Sequence, residues 1–293
     1  MRLRNMGAEA VLLAGGGRAI LLQLANPGVG HAVAQHSAFS ADPTRRLRHT
    51  LTYVYALIWG TPGQARFVTD MVNRAHAPVQ ATPDGTVPYS ANDPALQLWV
   101  NATLYDSAIV VYERVFGPLS PGDAAAIYSD YAVIGTGLQM PAELWPVDVA
   151  AFRSYWDDQV SRLDVDDVAR RVAHDLLHPA AGPLWLRAAM PLAGLITAGL
   201  LDPRLREAFR LPWSARRQRR FDAVMRITVA VYPRLPRRLR ELPKTLLLRG
   251  VPDADAAAAT TGPAARSDPT ARSSRAARSG RTATSARAPR RAR

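Results

Sequence analysis

The sequence predicts an all-α protein, with one multi-helix globular domain and a basic tail. Apolar residues recur at intervals of three and four along most of the chain, and the strict alternation typical of strands is absent. A capping residue directly precedes proline at Asp42-Pro43, Thr61-Pro62 and Asp93-Pro94, a typical way to begin a helix. After Gly250 the chain is rich in Ala, Arg, Ser, Thr and Pro. We therefore expect a helical domain over residues 1–250 and a disordered tail over residues 251–293.

Composition narrows the possible chemistry. The 293 residues include no cysteine, which excludes disulfides, thiolate metal sites, iron–sulfur clusters and covalently attached c-type haem. The net charge is +13, and nine arginines against three aspartates give the tail +6 of it. A basic body favours anionic membranes or polyanions, although an arginine-rich composition alone gives the same charge. We expect no specific binding of nucleic acid.

We expect neither a signal peptide at the start of the sequence nor a membrane-spanning helix within it. Glu9, the triplet Gly15–Gly17 and Arg18 interrupt the apolar core that a signal peptide needs. The longest apolar run, Ala188–Leu201, contains Pro191 and is shorter than the ~20 residues that span a bilayer. We expect a cytoplasmic protein, with peripheral membrane contact as an open alternative.

The first part of the chain predicts short apolar helices. Ala8–Leu13 and Arg18–Ala25 form two of them, and we expect the glycine triplet to break the helix between them. The segment Gly28–Phe39 follows and carries His31 and His36. Five residues apart, these two do not share a helical face well, so we interpret them as capping or surface histidines.

The stretch Ser40–Val79 predicts two helices joined by a tight turn at Gly60-Thr61. The first helix has an apolar stripe of Leu47, Leu51, Val54 and Ile58, and beside it a flank of Arg46, His49, Thr50, Tyr53 and Leu57. On the second helix we expect Val68, Met71, Val72 and Ala75 to face inward, with His76 one turn beyond Val72. The polar flank is either a rim exposed to water or the wall of an apolar pocket. This hairpin is the candidate functional site.

The rest of the domain continues the helical pattern. We predict helices over Ala95–Phe116, from Ser120 through Tyr131, and over Val147–Arg162, Asp166–Leu177 and Pro212–Tyr232. The last is basic and amphipathic, typical of a solvated face or of contact with a membrane surface. His174 and His178 have the spacing of a metal-chelating pair but lack the glutamate of H-E-x-x-H, so ordinary surface histidines are the main interpretation.

Several catalytic motifs are missing from the sequence. It contains no G-x-S-x-G elbow, no Walker loop and no H-E-x-x-H, and none of its five glutamates precedes a histidine by three residues as in di-iron bundles. A noncovalent cofactor held by histidine between apolar helices remains. A haem needs an imidazole ligand, an apolar slot and arginines for its propionates. His76 suits the first role, and Arg46, His49 and Thr50 suit a polar distal wall; a plain helical core is the alternative.

The order of the motifs over roughly residues 15–180 resembles the MpaB/rubber oxygenase catalytic-domain family (DUF2236), the family of the latex-clearing proteins. The motifs that carry the resemblance are R-A-I-L-L-Q-L-A-N-P-G-V (18–29), H-S-A-F (36–39), D-P-T-R-R-L-R-H-T (42–50), G-T (60–61), R-A-H-A-P-V (74–79), Y-S-A-N-D-P (89–94) and W-V-N-A-T-L (99–104). The resemblance implies an all-helical oxygenase that cleaves an isoprenoid chain with haem b and dioxygen.

The resemblance also implies roles for single residues. His76 is similar to the proximal ligand of the haem iron, and Arg46 and Thr50 match the distal helix. His49 stands where rubber-cleaving members have lysine and many relatives have arginine. Three further departures are Asn26 and Asn101, where relatives are expected to have histidine, and Gly28–Gly30, at roughly the place of the catalytic glutamate. We expect a hydrophobic small molecule and dioxygen as partners; a noncatalytic haem- or lipid-binding protein and a basic membrane-surface protein are the rival interpretations.

Overall fold

Helix α6, Pro94–Phe116, lies at the centre of the fold. Its first turn is capped by the Asp93 side chain, which accepts hydrogen bonds from the backbone N–H groups of Ala95 and Leu96. It ends at Gly117, whose φ of 92° glycine adopts at little cost. The side chains of α6 are buried on several sides, including Leu98, Trp99, Ala102, Thr103 and Val111. The other helices are therefore arranged around α6.

The computed structural model describes residues 1–36, 43–81, 85, 87–179, 183–253 and 255, with residues 43–46 described as backbone. The helices in this part of the chain are α1 Leu3–Met6, α2 Gly16–Leu24, α3 Pro27–His36, α4 Pro43–Trp59, α5 Pro62–His76, α6, α7 Pro121–Thr136, α8 Val149–Ser161, α9 Asp167–Leu177, α10 Leu184–Leu200, α11 Pro203–Ala208, α12 Ala215–Val231, α13 Arg237–Arg240 and α14 Leu242–Arg249. Short 3₁₀ turns occur at Ala10–Gly15, Ala142–Leu144 and Tyr232–Arg234. Among the described residues the only β pairing is an isolated bridge between Gln80 and Ser90. The all-α prediction is confirmed.

The predicted helices differ from the observed ones in detail. Helix α7 continues past Tyr131 to Thr136, and the first apolar segment is a 3₁₀ turn rather than an α-helix. Ser120, Asp148 and Asp166 cap α7, α8 and α9 by accepting hydrogen bonds from backbone N–H groups. The predicted cap at Asp42 lies outside the described residues.

The expectation that the glycine triplet breaks the helix is wrong. Gly16 and Gly17 lie inside α2, which follows directly on the 3₁₀ turn that ends at Gly15. A Cβ on Gly17 would collide with the Thr197 side chain of α10, and one on Gly15 would lie 3.0 Å from the Ser107 carbonyl oxygen of α6. The glycines therefore allow three segments to pack closely.

An aromatic cluster fills the core between α6, α7 and α8. The Tyr105 ring centroid lies 4.9 to 6.2 Å from those of Tyr128, Tyr131, Trp145 and Phe152. Burial raises the pKa of Tyr105 to about 12, so its hydroxyl stays protonated over the physiological range. The cluster thus serves packing rather than proton transfer.

A buried charged network ties α2 to α6, α8 and α10. Asp106 is only 2% exposed; Arg18 Nη2 lies 2.7 Å from its Oδ2, and Arg153 Nη1 donates to its Oδ1 at 3.1 Å. Arg18 also donates to Ser107 Oγ at 2.8 Å and to the Leu200 carbonyl at 3.0 Å. The buried charge is therefore paired on both sides.

The C-terminal helices cover the other side of α6. Val111, Leu200 and Phe221 form a small apolar cluster that joins α6, α10 and α12. Helix α10 contains Pro191 in its interior. Within the described residues, no helix has both the length and the apolar character needed to cross a membrane.

The predicted disordered tail, residues 251–293, lies outside the described residues except for 251–253 and 255. Val251 is buried, and its carbonyl accepts a hydrogen bond from Gln64 Nε2 at 3.1 Å. Thr61 Oγ1 donates to Asp253 Oδ2 at 2.7 Å. The chain beyond α14 thus contacts the start of α5.

Candidate active site

The predicted hairpin is present as α4 and α5, joined at Gly60 and Thr61. Thr61 and Gln64 form a reciprocal capping box at the start of α5. A Cβ at Gly60 would lie 2.5 Å from the Ala56 carbonyl oxygen, so the turn requires glycine. Arg46 and His76 lie at nearly equal sequence distances from this turn. Because both helices rise by the same amount per residue, an antiparallel hairpin brings these two positions to the same level.

The turn end of the hairpin is firmly packed. Val68 and Ala56 are fully buried, and the buried Tyr53 hydroxyl donates to the Ile134 carbonyl of α7 at 2.9 Å. Burial raises the pKa of Tyr53 above its usual range. Tyr53 belongs to the flank predicted as either a rim or a pocket wall, and here it anchors α4 to α7. The candidate site is thus confined to the opposite end of the hairpin.

His76 is the last residue of α5. Its side chain is half-buried, and its Nδ1 atom has almost no contact with solvent. Its carbonyl accepts a hydrogen bond from the Val79 N–H at 2.9 Å, which turns the chain toward the Gln80–Ser90 bridge. His76 therefore lies at the junction of α5 and the following loop.

The residues predicted for the distal wall are all in α4. Arg46 lies in the helix, but its side chain is outside the described part of the chain. His49 is exposed, and Thr50 is half-buried. Leu47, beside them, is 50% exposed. This end of α4 therefore presents polar and apolar groups together.

One predicted orientation is corrected, and the predicted apolar stripe of α4 is unevenly covered. Within that stripe Ile58 is buried, whereas Leu47 is exposed. Ala75 was expected to face inward from α5 and is exposed. Both residues lie near the open end of the hairpin, where the described neighbours do not cover the helices.

A polar trio at the end of α3 was missed by sequence reasoning. The Tyr89 hydroxyl donates to Gln35 Oε1 at 2.6 Å, and His36 Nε2 lies 3.0 Å from the same hydroxyl. Because the hydroxyl has one proton, His36 Nε2 must be the donor in that contact. Tyr89 is buried, and its carbonyl accepts from the Ala81 N–H at 2.9 Å, five residues beyond His76. The end of α3 is thus drawn toward the end of α5.

The residues that depart from the expected family pattern have local structural roles. Asn26 Oδ1 accepts from the Val29 N–H at 3.3 Å at the start of α3, and Asn101 Nδ2 donates to the Gln97 carbonyl at 2.9 Å within α6. A Cβ at Gly30 would lie 2.7 Å from the Leu24 carbonyl oxygen. The backbone there is too close for a larger residue such as glutamate without rearrangement.

The other histidines serve local structure. His31 Nε2 lies 2.8 Å from Asp166 Oδ2, in the side chain that caps α9. Partial burial alone would raise the pKa of Asp166, but hydrogen bonds from Ala169 and His31 lower it below its usual value. The exposed rings of His174 and His178 are stacked 4.7 Å apart, and His178 Nδ1 lies 3.0 Å from the His174 carbonyl. Across the described residues, no cluster of three metal-ligating side chains was found.

The fold and the hairpin define a class: an all-α domain whose candidate site is a helical hairpin with histidines on both arms. Comparison with known families identifies it further. The chain belongs to the family described as "ER-bound oxygenase mpaB/B'/Rubber oxygenase, catalytic domain", whose model matches residues 3–230. This description indicates an oxygenase-type catalytic domain.

Two mycobacterial proteins are similar over most of their length. They are "Uncharacterized protein Mb2261" of Mycobacterium bovis and "Uncharacterized protein Rv2237" of Mycobacterium tuberculosis. Each is 36% identical over 222 residues, which is 73% of this chain and 87% of the relative. No solved structure matches the chain.

Proposed function

We propose that the protein is a haem b-dependent oxygenase that uses dioxygen to oxidise a hydrophobic substrate of isoprenoid type. The observation that supports the proposal is that His76 is half-buried at the end of α5, the helix that packs against the α4 of His49 and Thr50. Family membership supplies the oxygenase class.

The residues present at this end of the hairpin fit a haem. The His76 imidazole would coordinate the haem iron, and its Nδ1 atom is buried. Leu47 offers an exposed apolar surface, and Arg48 and Arg74 are exposed cations for the propionates. When bound, the haem iron would supply the redox chemistry with dioxygen.

The protein's own residues would bind substrate and direct protons. Leu47 and Leu51 give α4 an apolar surface that suits a hydrocarbon chain. The Thr50 hydroxyl can donate a hydrogen bond to an oxygen atom of a bound ligand. The His49 imidazole would act as a general acid or base, a role that the lysine of rubber-cleaving members would fill differently. Arg46 would add a permanent positive charge at the same end of α4.

One observation favours a noncatalytic haem-binding protein as the second candidate. The positions Gly28–Gly30 are packed against Leu24 and Leu96, so no carboxylate is available where the resemblance implies a catalytic base. A protein that keeps His76 but lacks this base could hold haem without turnover.

Oxygen uptake by the haem-reconstituted protein separates the candidates. We expect a linear isoprenoid to stimulate oxygen consumption, and we expect His49→Ala to reduce the rate by about a hundredfold or more, the scale of general acid–base catalysis. His178→Ala, at a stacked surface histidine, is the matched control and should retain the rate. Haem binding without stimulated uptake would favour the second candidate, and failure to bind haem would contradict both.

A further inference from the structure

An aliphatic stripe runs along the outer face of the last three helices. It consists of six large apolar side chains, each between 37% and 64% exposed: Ile227, Val231, Leu235, Leu239, Leu242 and Leu246. They recur every three or four residues through α12, the Tyr232–Arg234 turn, α13 and α14. Scattered exposed leucines are ordinary, but six exposed aliphatic side chains within residues 227–246 are typical of a contact surface.

The opposite face of the same segment is attached to the body. Phe221 is buried, and the Tyr232 hydroxyl donates to Glu9 Oε2 and accepts from the Val11 N–H, both at 3.0 Å. Arg240 Nη1 lies 2.9 Å from Glu9 Oε1, and Lys244 Nζ lies 5.4 Å from the Trp59 ring centroid. These contacts fix which face points inward. The aliphatic stripe is therefore held outward by the fold.

The surface around the stripe is strongly basic. Residues 215–249 contain ten arginines and one lysine against Asp222 and Glu241. Glu241 is already paired with Arg237 and Lys244, and these hydrogen bonds, the one from Lys244 first, lower its pKa. Eight of the arginines are exposed: Arg216, Arg219, Arg220, Arg226, Arg234, Arg237, Arg238 and Arg249. The outward charge is thus almost wholly positive.

Beside the stripe lies an open groove of about 550 Å³ between the end of α6 and α12. Arg114, Arg226 and Arg234 line it together with Asp222, and Met225, Val229 and Ala230 form its apolar lining. A guanidinium group matches the geometry of a phosphate, with which it can form paired hydrogen bonds. The groove therefore suits an anionic head group next to an acyl chain.

We propose that α12–α14 bind the surface of an anionic phospholipid bilayer, with the aliphatic stripe entering the head-group region and the arginines contacting phosphates. Apolar side chains bordered by arginines are the features of helices that lie in a membrane interface. A second copy of the chain is disfavoured, because self-association through this surface would bring two basic segments together. A protein partner is disfavoured because the stripe has only Leu, Ile and Val and no aromatic anchor.

Membrane contact would bear on the candidate site without depending on it. Helix α14 packs against α4, the helix that carries His49 and Thr50. Docking of α14 would therefore bring the hairpin close to a reservoir of hydrophobic molecules. The binding itself requires no haem, so the test below is independent of oxygenase activity.

The test is cosedimentation of the full chain with vesicles of equimolar phosphatidylcholine and phosphatidylglycerol, against vesicles of phosphatidylcholine alone. We expect binding to the anionic vesicles, and we expect Leu239→Glu with Leu246→Glu to weaken it by about tenfold or more, since two apolar contacts become repulsive. The matched control is Leu144→Glu with Val147→Glu, which changes two exposed apolar residues before α8. The control pair should bind like the unaltered protein.

A second pair of variants tests whether the exposed arginines contribute to membrane binding. Arg226→Glu with Arg238→Glu should weaken binding and reduce its dependence on salt, whereas Arg171→Glu on α9 should leave only the small effect of net charge. Because the tail keeps all its arginines in every variant, binding through the tail alone would leave the leucine pair as tight as the unaltered chain. That result would overturn the proposal.

Other outcomes would also contradict the proposal. Equal binding to both kinds of vesicle would exclude recognition of anionic lipid, and no binding to either would exclude membrane docking. A dimer in light scattering that the leucine pair dissociates would assign the stripe to self-association. Thermal unfolding of each variant, expected near that of the unaltered chain because the changed residues are exposed, separates these outcomes from misfolding.

Discussion

The core around α6 and the open end of the α4–α5 hairpin use polar side chains in opposite ways. In the core, Asp106 and Arg18 are buried and form an ion pair. At the hairpin end, His49 is exposed beside the exposed Leu47. Polar groups in the core therefore fix the arrangement of helices, whereas those at the hairpin end are accessible to a ligand. Changes in the core should reduce stability, and changes at the hairpin end should alter binding.

The largest effect is expected from Asp106→Ala. The substitution leaves the Arg18 guanidinium buried without its carboxylate partner, which should lower the free energy of unfolding by about 3–5 kcal/mol. Chemical denaturation measures it. The matched control is Asp158→Ala, which removes an exposed pair with Arg162 at 2.7 Å and should cost about 1 kcal/mol or less. Similar losses in both variants would contradict the claim that the buried Asp106 pair stabilises the fold more than an exposed pair does.

A smaller loss is expected where α10 packs against α12. A Cβ at Gly199 would collide with the Phe221 ring, so Gly199→Ala should destabilise the protein by about 1–3 kcal/mol. Gly194 lies in the same helix with no atom within 4 Å of an added Cβ. Gly194→Ala should therefore stabilise it by about 0.5–1 kcal/mol, because alanine restricts the unfolded chain and favours the helix. Equal shifts in melting temperature would show that packing at Gly199 is not tight.

The smallest effect on stability is expected at the hairpin end. Leu47→Ala and His49→Ala remove exposed side chains and should change the free energy of unfolding by about 0.5 kcal/mol or less. The same variants should weaken binding of a hydrophobic ligand, measured by titration calorimetry. A stability loss like that of Asp106→Ala would mean that this end is part of the core.

The sequence predicted the helices well because their signals are local. The caps at Thr61 and Asp93 and the turn at Gly60-Thr61 depend on residues a few positions apart, and all of them are present in the structure. The all-α fold and the family resemblance followed from the same local patterns.

Features that depend on distant residues could not be predicted. The role of the glycine triplet was not predictable, because Gly17 packs against Thr197 and Gly15 against Ser107, both far along the chain. The pairing of Arg18 with Asp106 joins residues whose sequence positions carry no common pattern. Periodicity placed Leu47 and Ile58 in one stripe but could not reveal that neighbours cover only one of them. The hydrogen bonds that join Tyr89 to Gln35 and His36, more than fifty residues earlier in the chain, were not predictable either.

The most direct test of the central claim is the absorption spectrum of the purified protein with and without His76. The account predicts a Soret band in the haem-reconstituted protein that is lost or strongly shifted in His76→Ala, while the melting temperature and helical circular dichroism stay close to those of the unaltered chain. His178→Ala should keep the band. A band unchanged in His76→Ala, or no band in the unaltered protein after reconstitution, would contradict the assignment of His76 as the haem ligand.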